Sequence, residues 1–129
     1  MNHSDNPKDA IGARKPPLHL IPASAEIAEA VVMALGAKKY GPFNWRKANI
    51  RASIYVSAAR RHLAQWFDGE DFDEESEASH IAHARACLGI LFDAMATGHW
   101  IDDRPPKGEA SRLIKESTED TADADTQCE

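Results

Sequence analysis

"RRHLAQWFDGEDFDEESEASHIAHA", residues 60–84, decides the reading of the fold. Apolar residues recur at helical spacing up to Phe67, and Gly69 then breaks the pattern. An acidic run follows, and beyond Ser76 and Ser79 the helical spacing resumes through Ile81, Ala84 and Leu88. The stretch predicts two helices joined by an acidic loop, and it holds His62, His80 and His83, half of the 6 histidines in the chain. Such a cluster is either a solvated hairpin or a site for a metal ion and something phosphorylated.

Working outward, the helix before the loop is expected from near Arg51 to Phe67, with Ile54, Tyr55, Ala58, Leu63, Trp66 and Phe67 facing inward. The helix after it is expected to reach Thr97, with Gly98 as its C-terminal stop and Leu88, Leu91, Phe92 and Met95 in its core stripe. An earlier helix begins at Ser24, carries Ile27, Val31, Val32 and Leu35 on an apolar stripe, and stops at Gly36 or Gly41. No strand pairing is expected. The fold class is all-α, a small bundle of three or four helices. Residues 1–17 form a flexible arm, 18–103 the helical domain and 104–129 an acidic, mostly disordered tail in which "EASRLIKES" has helical character. The ordered part is small enough that a homo-oligomer is expected.

The composition, 43% hydrophobic and 28% charged, suits a water-soluble domain. The net charge of -6 is segregated: Lys38, Lys39, Arg46, Lys47, Arg51, Arg60 and Arg61 make the middle basic, while only acids follow Glu116. That distribution argues against coating nucleic acid, which needs a broad basic face, and leaves room for a small polyphosphate. Cys87 and Cys128 form neither a disulfide framework nor a zinc motif. With no apolar leader and no membrane span, the expected location is the cytoplasm.

Three constellations carry chemistry. His80-x-x-His83 with Glu70 and Asp73 can share a divalent ion, and His62 arrives from the preceding helix. In "KKYGPFNWRKANI", Lys38 and Lys39 answer phosphate charge, Tyr40 and Trp45 can stack a base, and Asn44 can read a base edge. Arg60 and Arg61 can add a phosphate clamp. Glu26-x-x-Glu29 could hold magnesium, but carboxylates three apart are more often an ordinary solvated helix face.

Taken in order, "LIP…GAKKYGPFNW…RRHLAQWFDGEDFDEES…HIAHA" resembles the phage dATP/dGTP diphosphohydrolases (MazZ-like), relatives of the MazG-type all-α NTP pyrophosphatases. The resemblance covers about Gly12 to Asp93. It implies a helical, oligomeric protein that uses a divalent metal, Mg2+ first and Mn2+ or another transition metal next. The reaction it implies splits a purine deoxynucleoside triphosphate, dGTP or dATP, into monophosphate and pyrophosphate. In a phage the dGMP would feed synthesis of 2-aminoadenine DNA, and the chain would act in the host cytoplasm. MazG-type enzymes bind magnesium through Glu-x-x-Glu and Glu-x-x-Asp on successive helices. Here Glu70-x-x-Asp73 falls in a loop and His80-x-x-His83 takes the helical place.

The expected metal shell is therefore Glu70, Asp73, His80 and His83. His62 is expected to orient or deprotonate the attacking water, with Glu70 and Asp73 also counted as catalytic. Lys38, Lys39, Tyr40, Asn44, Trp45 and Arg61 are expected to bind the substrate. Two rivals stand beside this reading: a histidine-and-aspartate metal phosphohydrolase acting on dNTPs, and a non-enzymatic helical phage accessory protein.

Overall fold

The computed structural model describes residues 6–119. The acids Asp120, Asp123, Asp125 and Glu129 of the expected tail, Cys128 and the first five residues lie outside the described residues. The architecture is mainly helical: α1 (Pro7–Gly12), α2 (Ala23–Tyr40), α3 (Ala52–Phe67), α4 (His80–Thr97) and α5 (Ala110–Glu119). Helix α4 is central, with α3 packed on one side of it and α2 on another.

Two expectations need correcting. A small parallel pairing exists, β1 (Ile50–Arg51) with β2 (Trp100–Ile101), in register Ile50↔Trp100 and Arg51↔Ile101. Strands of two residues are too short to show an alternating pattern, so the sequence gives no sign of them. The arm also contains a helix, α1, started by Asn6, whose side chain accepts the Lys8 amide at 3.0 Å, with Pro7 in the first turn.

Local chemistry sets the helix ends. Ser79 caps α4 by accepting the Ile81 and Ala82 amides at 3.1 and 3.2 Å. Gly98 ends the helix in the left-handed conformation at φ 75, where a side chain would be strained. Helix α2 runs past Gly36 and stops at Gly41, so the second of the two glycines is the terminator.

The core is made largely of small residues. Ala52 and Ala59 of α3 and Ala82, Ala84, Ala86 and Ala94 of α4 are buried, which lets helix backbones approach closely. Around Trp45, Ile50 and Ala94 pack Met33, Tyr55, Ile90, Leu91 and Trp100. Many of the large residues expected inward are instead exposed: Ile27, Val31, Ile54, Leu63, Trp66, Phe67, Leu88, Phe92 and Met95. The alanines take the helix–helix contacts, and nothing among the described residues covers the bulkier side chains on the flanks of each stripe. Helix α2 is apolar on several sides and has no buried residue, although a helix apolar all round ordinarily ends up covered.

One polar anchor ties the loop after α2 to α4. The Trp45 indole donates to Asp93 Oδ2 at 2.7 Å, and Arg46 forms a two-pronged pair with the same carboxylate, both contacts 2.8 Å. The Arg46 guanidinium first, and the indole second, hold Asp93 down at about 2. A folded-state value below the ordinary 3.8 means that this pair stabilises the fold above that value and is lost as pH falls through about 2. Between pH 4 and 2 the wild type is therefore expected to lose stability more steeply than Asp93→Asn. Urea unfolding at several pH values checks this, and parallel slopes would remove the pair from the acid response.

Candidate active site

The loop between α3 and α4 folds back on itself. Phe72 bridges Ser79 in antiparallel fashion. The Asp73 amide donates to the Ala78 carbonyl at 2.8 Å, and the His80 amide to the Asp71 carbonyl at 3.1 Å. The turn closes through Glu77, which sits at φ 65 without being glycine. The acids of this loop immediately precede the N-terminus of α4, whose dipole favours negative charge. That supplies a reason for the acidic run which the C-terminus of α3 does not.

Folding the loop this way brings His62 of α3, Asp73 of the loop and His80 of α4 together. One ligand atom from each lies within 4.8 Å of the others. His80 is fully buried, so both ring nitrogens need partners. Nε2 lies 2.5 Å from Glu70 Oε1, and Nδ1 lies 2.8 Å from Nδ1 of His62. A carboxylate only accepts, so His80 Nε2 carries the proton and its Nδ1 offers a lone pair. The gap between the two Nδ1 atoms is then bridged by a proton from His62 or by a cation.

His83 stacks on His62, with ring centroids 4.4 Å apart and planes 6° from parallel. Burial, followed by the neighbouring imidazoles, lowers the His62 pKa. Burial is likewise the main cause of lowering at His83. The lowering favours the neutral ring at both residues, the state in which imidazole ligates metal. Asp73 is held below the usual carboxylate range, chiefly by the Ser76 amide, which donates to Oδ2 at 2.8 Å.

Two imidazoles and one carboxylate fit a divalent cation, and the carboxylate behind His80 matches the supporting partner such sites commonly have. Glu70 and His62 occupy places that spacing alone does not give. Since Nε2 and Nδ1 lie on opposite edges of the His80 ring, Glu70 stands behind His80, while His62 stands beside Asp73. His83 sits one ring further out, its Nε2 2.7 Å from Ser76 Oγ.

His62, Asp73, Ser76 and His83 line a cleft of about 1050 Å3, somewhat beyond the roughly 300–1,000 Å3 of ordinary small-molecule pockets. Its other walls are apolar residues of α2 and α4, among them Val32, Met33, Leu35 and Ile90, with Tyr40 at the end of α2 and Phe43 and Asn44 beyond it. Lys39 also lines it, whereas Lys38 and Arg61 are exposed and do not. Trp45 reaches the cleft but is only 6% exposed, with its indole N–H committed to Asp93, so it builds the wall more than it presents a stacking face.

Glu26 and Glu29 also line the cleft, Glu26 exposed and Glu29 half-buried. Arg85 binds Glu29 Oε1 through Nε at 3.1 Å and Nη2 at 2.9 Å. Sequence reasoning did not single out Ser76, Glu75 or Arg85. The available signal was the Asp-x-x-Ser spacing, in which an aspartate side chain commonly accepts a nearby downstream amide.

Glu77 allows a test of the loop itself. Glycine tolerates its left-handed conformation, so Glu77→Gly is expected to raise stability by about 1 kcal/mol. Chemical denaturation checks this, and a loss of stability would mean that the Glu77 side chain makes a favourable contact.

The family model described as the N-terminal part of dATP/dGTP diphosphohydrolase matches residues 5–104. A dATP/dGTP diphosphohydrolase of Salmonella phage PMBT28 is 33% identical over 90 residues, covering 70% of this chain and 30% of the relative. The chain thus corresponds to under a third of that protein's length. No solved structure matches. The family match takes in the α3–α4 hairpin, the histidines and the cleft, and the chain belongs to the dATP/dGTP diphosphohydrolase N-terminal family.

Proposed function

We propose that the chain hydrolyses purine deoxynucleoside triphosphates, dGTP and also dATP, to the monophosphate and pyrophosphate. The observation that carries this reading is the convergence of His62, Asp73 and the buried His80, of which His62 and Asp73 line a cleft with apolar walls. The name of the phage relative supports the same chemistry.

In this reading His62, Asp73 and His80 hold a divalent cation, with Glu70 fixing the His80 ring from behind. When bound, the ion neutralises phosphate charge and makes water a better nucleophile. The chain's own residues do the rest. Lys39 offsets the charge of the triphosphate at the cleft wall, with Lys38 and Arg61 adding to the positive field from outside it. Tyr40, Phe43 and Asn44 border the purine, and the apolar residues of α2 and α4 keep water from its faces. Water adds to the α-phosphorus, the α–β bridging P–O bond breaks, and pyrophosphate leaves. The dGMP formed would feed synthesis of 2-aminoadenine phage DNA.

Mg2+ is the ion implied by the family resemblance, but two imidazole nitrogens make the donor set softer than magnesium prefers. Mn2+ or Co2+ is accordingly expected to support turnover about tenfold above Mg2+. Among the described residues no helix is long and apolar enough to cross a membrane, and the proposed compartment is the host cytoplasm. The uncovered apolar flanks of α2, α3 and α4 support self-association, so the working form is proposed to be a homo-oligomer.

The test is to incubate the purified protein with each dNTP and each metal and to separate the products by chromatography. Monophosphate plus pyrophosphate from a purine dNTP is the expected result. Nucleoside plus triphosphate would transfer the assignment to the histidine-and-aspartate phosphohydrolases. No turnover with any metal would leave a binding or accessory role.

A further inference from the structure

Ser76 is tied to three parts of the site at once. Its amide donates to Asp73 Oδ2 at 2.8 Å, its Oγ accepts the Ala78 amide at 3.2 Å, and the same Oγ lies 2.7 Å from His83 Nε2. A serine hydroxyl has a single proton. With one Oγ lone pair taken by Ala78, the proton is free to go to Nε2, which leaves the proton of a neutral imidazole on Nδ1. His83 also stacks flat on His62, so its ring is held over one face as well as at one edge. Among the described residues Nδ1 has no hydrogen-bond partner, and His83 lines the cleft.

We propose that Ser76 is a positioning residue: it holds His83 as the Nδ1–H tautomer, so that this N–H donates to an oxygen of the triphosphate chain. The inference rests on the nucleotide reading above. Its physical content is a matter of sign. With the proton on Nδ1, a neutral ring offers phosphate a donor; with the proton on Nε2, the same ring would turn a lone pair toward negative oxygen. Phosphate catalysis relies heavily on donors fixed in advance at such oxygens. The requirement for a serine in a short loop then follows from what its hydroxyl can donate.

The test uses Ser76→Ala and Ser76→Thr in the full chain, since both keep the backbone amide that holds Asp73. Turnover of dGTP is measured with the preferred metal, and the histidine tautomers are read by nitrogen-15 NMR of the metal-free protein. In Ser76→Ala, kcat/KM is expected to fall by about 10–100-fold, the usual effect of losing an outer supporting partner. The His83 signals are expected to shift from the Nδ1–H pattern to a mixture, and threonine, which keeps the hydroxyl, is expected to restore both readouts. Wild-type kcat/KM in Ser76→Ala, or a threonine variant as impaired as the alanine one, would overturn the proposal. So would an Nε2–H pattern for His83 in the wild type. Should the wild type hydrolyse no dNTP, the nucleotide reading fails and the phosphate role of His83 falls with it, while the tautomer spectrum still decides whether Ser76 holds the ring.

Discussion

Asp73→Asn is expected to lower dGTP turnover by on the order of a thousand-fold, about 4 kcal/mol of transition-state stabilisation. The far-ultraviolet circular dichroism should stay unchanged. The two side chains are nearly the same size, and the amide oxygen can still accept from the Ser76 amide, so the turn from Asp73 to Ala78 should persist. What disappears is the negative charge that completes the donor set with His62 and His80. Glu70→Gln belongs beside it in the same experiment. Glu70 reaches the site through His80 Nε2, so its loss is expected to cost about 10–100-fold, as for other residues that act through a ligand. The ranking of the two variants is the decisive readout. A glutamine variant as impaired as Asp73→Asn would move Glu70 into the ligand set, where the Glu70-x-x-Asp73 spacing alone puts it. Full activity in Asp73→Asn would remove Asp73 from the site.

The sequence makes some of this legible and hides the rest for identifiable reasons. Gly69, Ser79 and Gly98 mark helix ends because each acts through its own backbone or a cap within a few residues, and such signals need no tertiary context. The clustering of His62, Asp73 and His80 also follows from local order, since two helices joined by a short loop must bring their adjoining ends together. Which edge of the His80 ring meets which partner is a different matter. It depends on the crossing of α3 and α4 and on the path of the loop, and spacing carries neither. Ser76 stays hidden for a similar reason: its turn runs through Glu77 at φ 65, where the usual cue would be a glycine or an asparagine. The exposed Phe67 and Phe92 show the limit of periodicity in another way. A helical stripe identifies residues that tend to be covered, but not whether the cover comes from the same chain.

Trp45 joins the fold to the site, and Trp45→Ala is expected to cost about 3–5 kcal/mol of stability. Aromatic residues beside lysines suggest a stacking platform, yet this indole is nearly buried against Ile50, Ala94 and their neighbours, with its N–H held by Asp93. Its removal leaves a cavity in a core otherwise rich in alanine, where little else can collapse to fill the space. It also deprives the Asp93 carboxylate of one donor while Arg46 remains. At roughly 4–8 °C per kcal/mol for a domain of this size, the melting temperature should fall by well over 10 °C. Trp45→Phe separates the two contributions: it retains most of the buried area and loses only the hydrogen bond to Asp93, so it should cost clearly less than Trp45→Ala. Tyr40→Ala, at another residue lining the cleft, provides the contrast. Tyr40 is 69% exposed, so its loss should barely change the melting temperature while raising KM for the purine nucleotide. If Trp45→Ala instead melted with the wild type and raised only KM, the indole would be a base-stacking surface, and the loop from Gly41 to Arg46 would owe its conformation to other contacts.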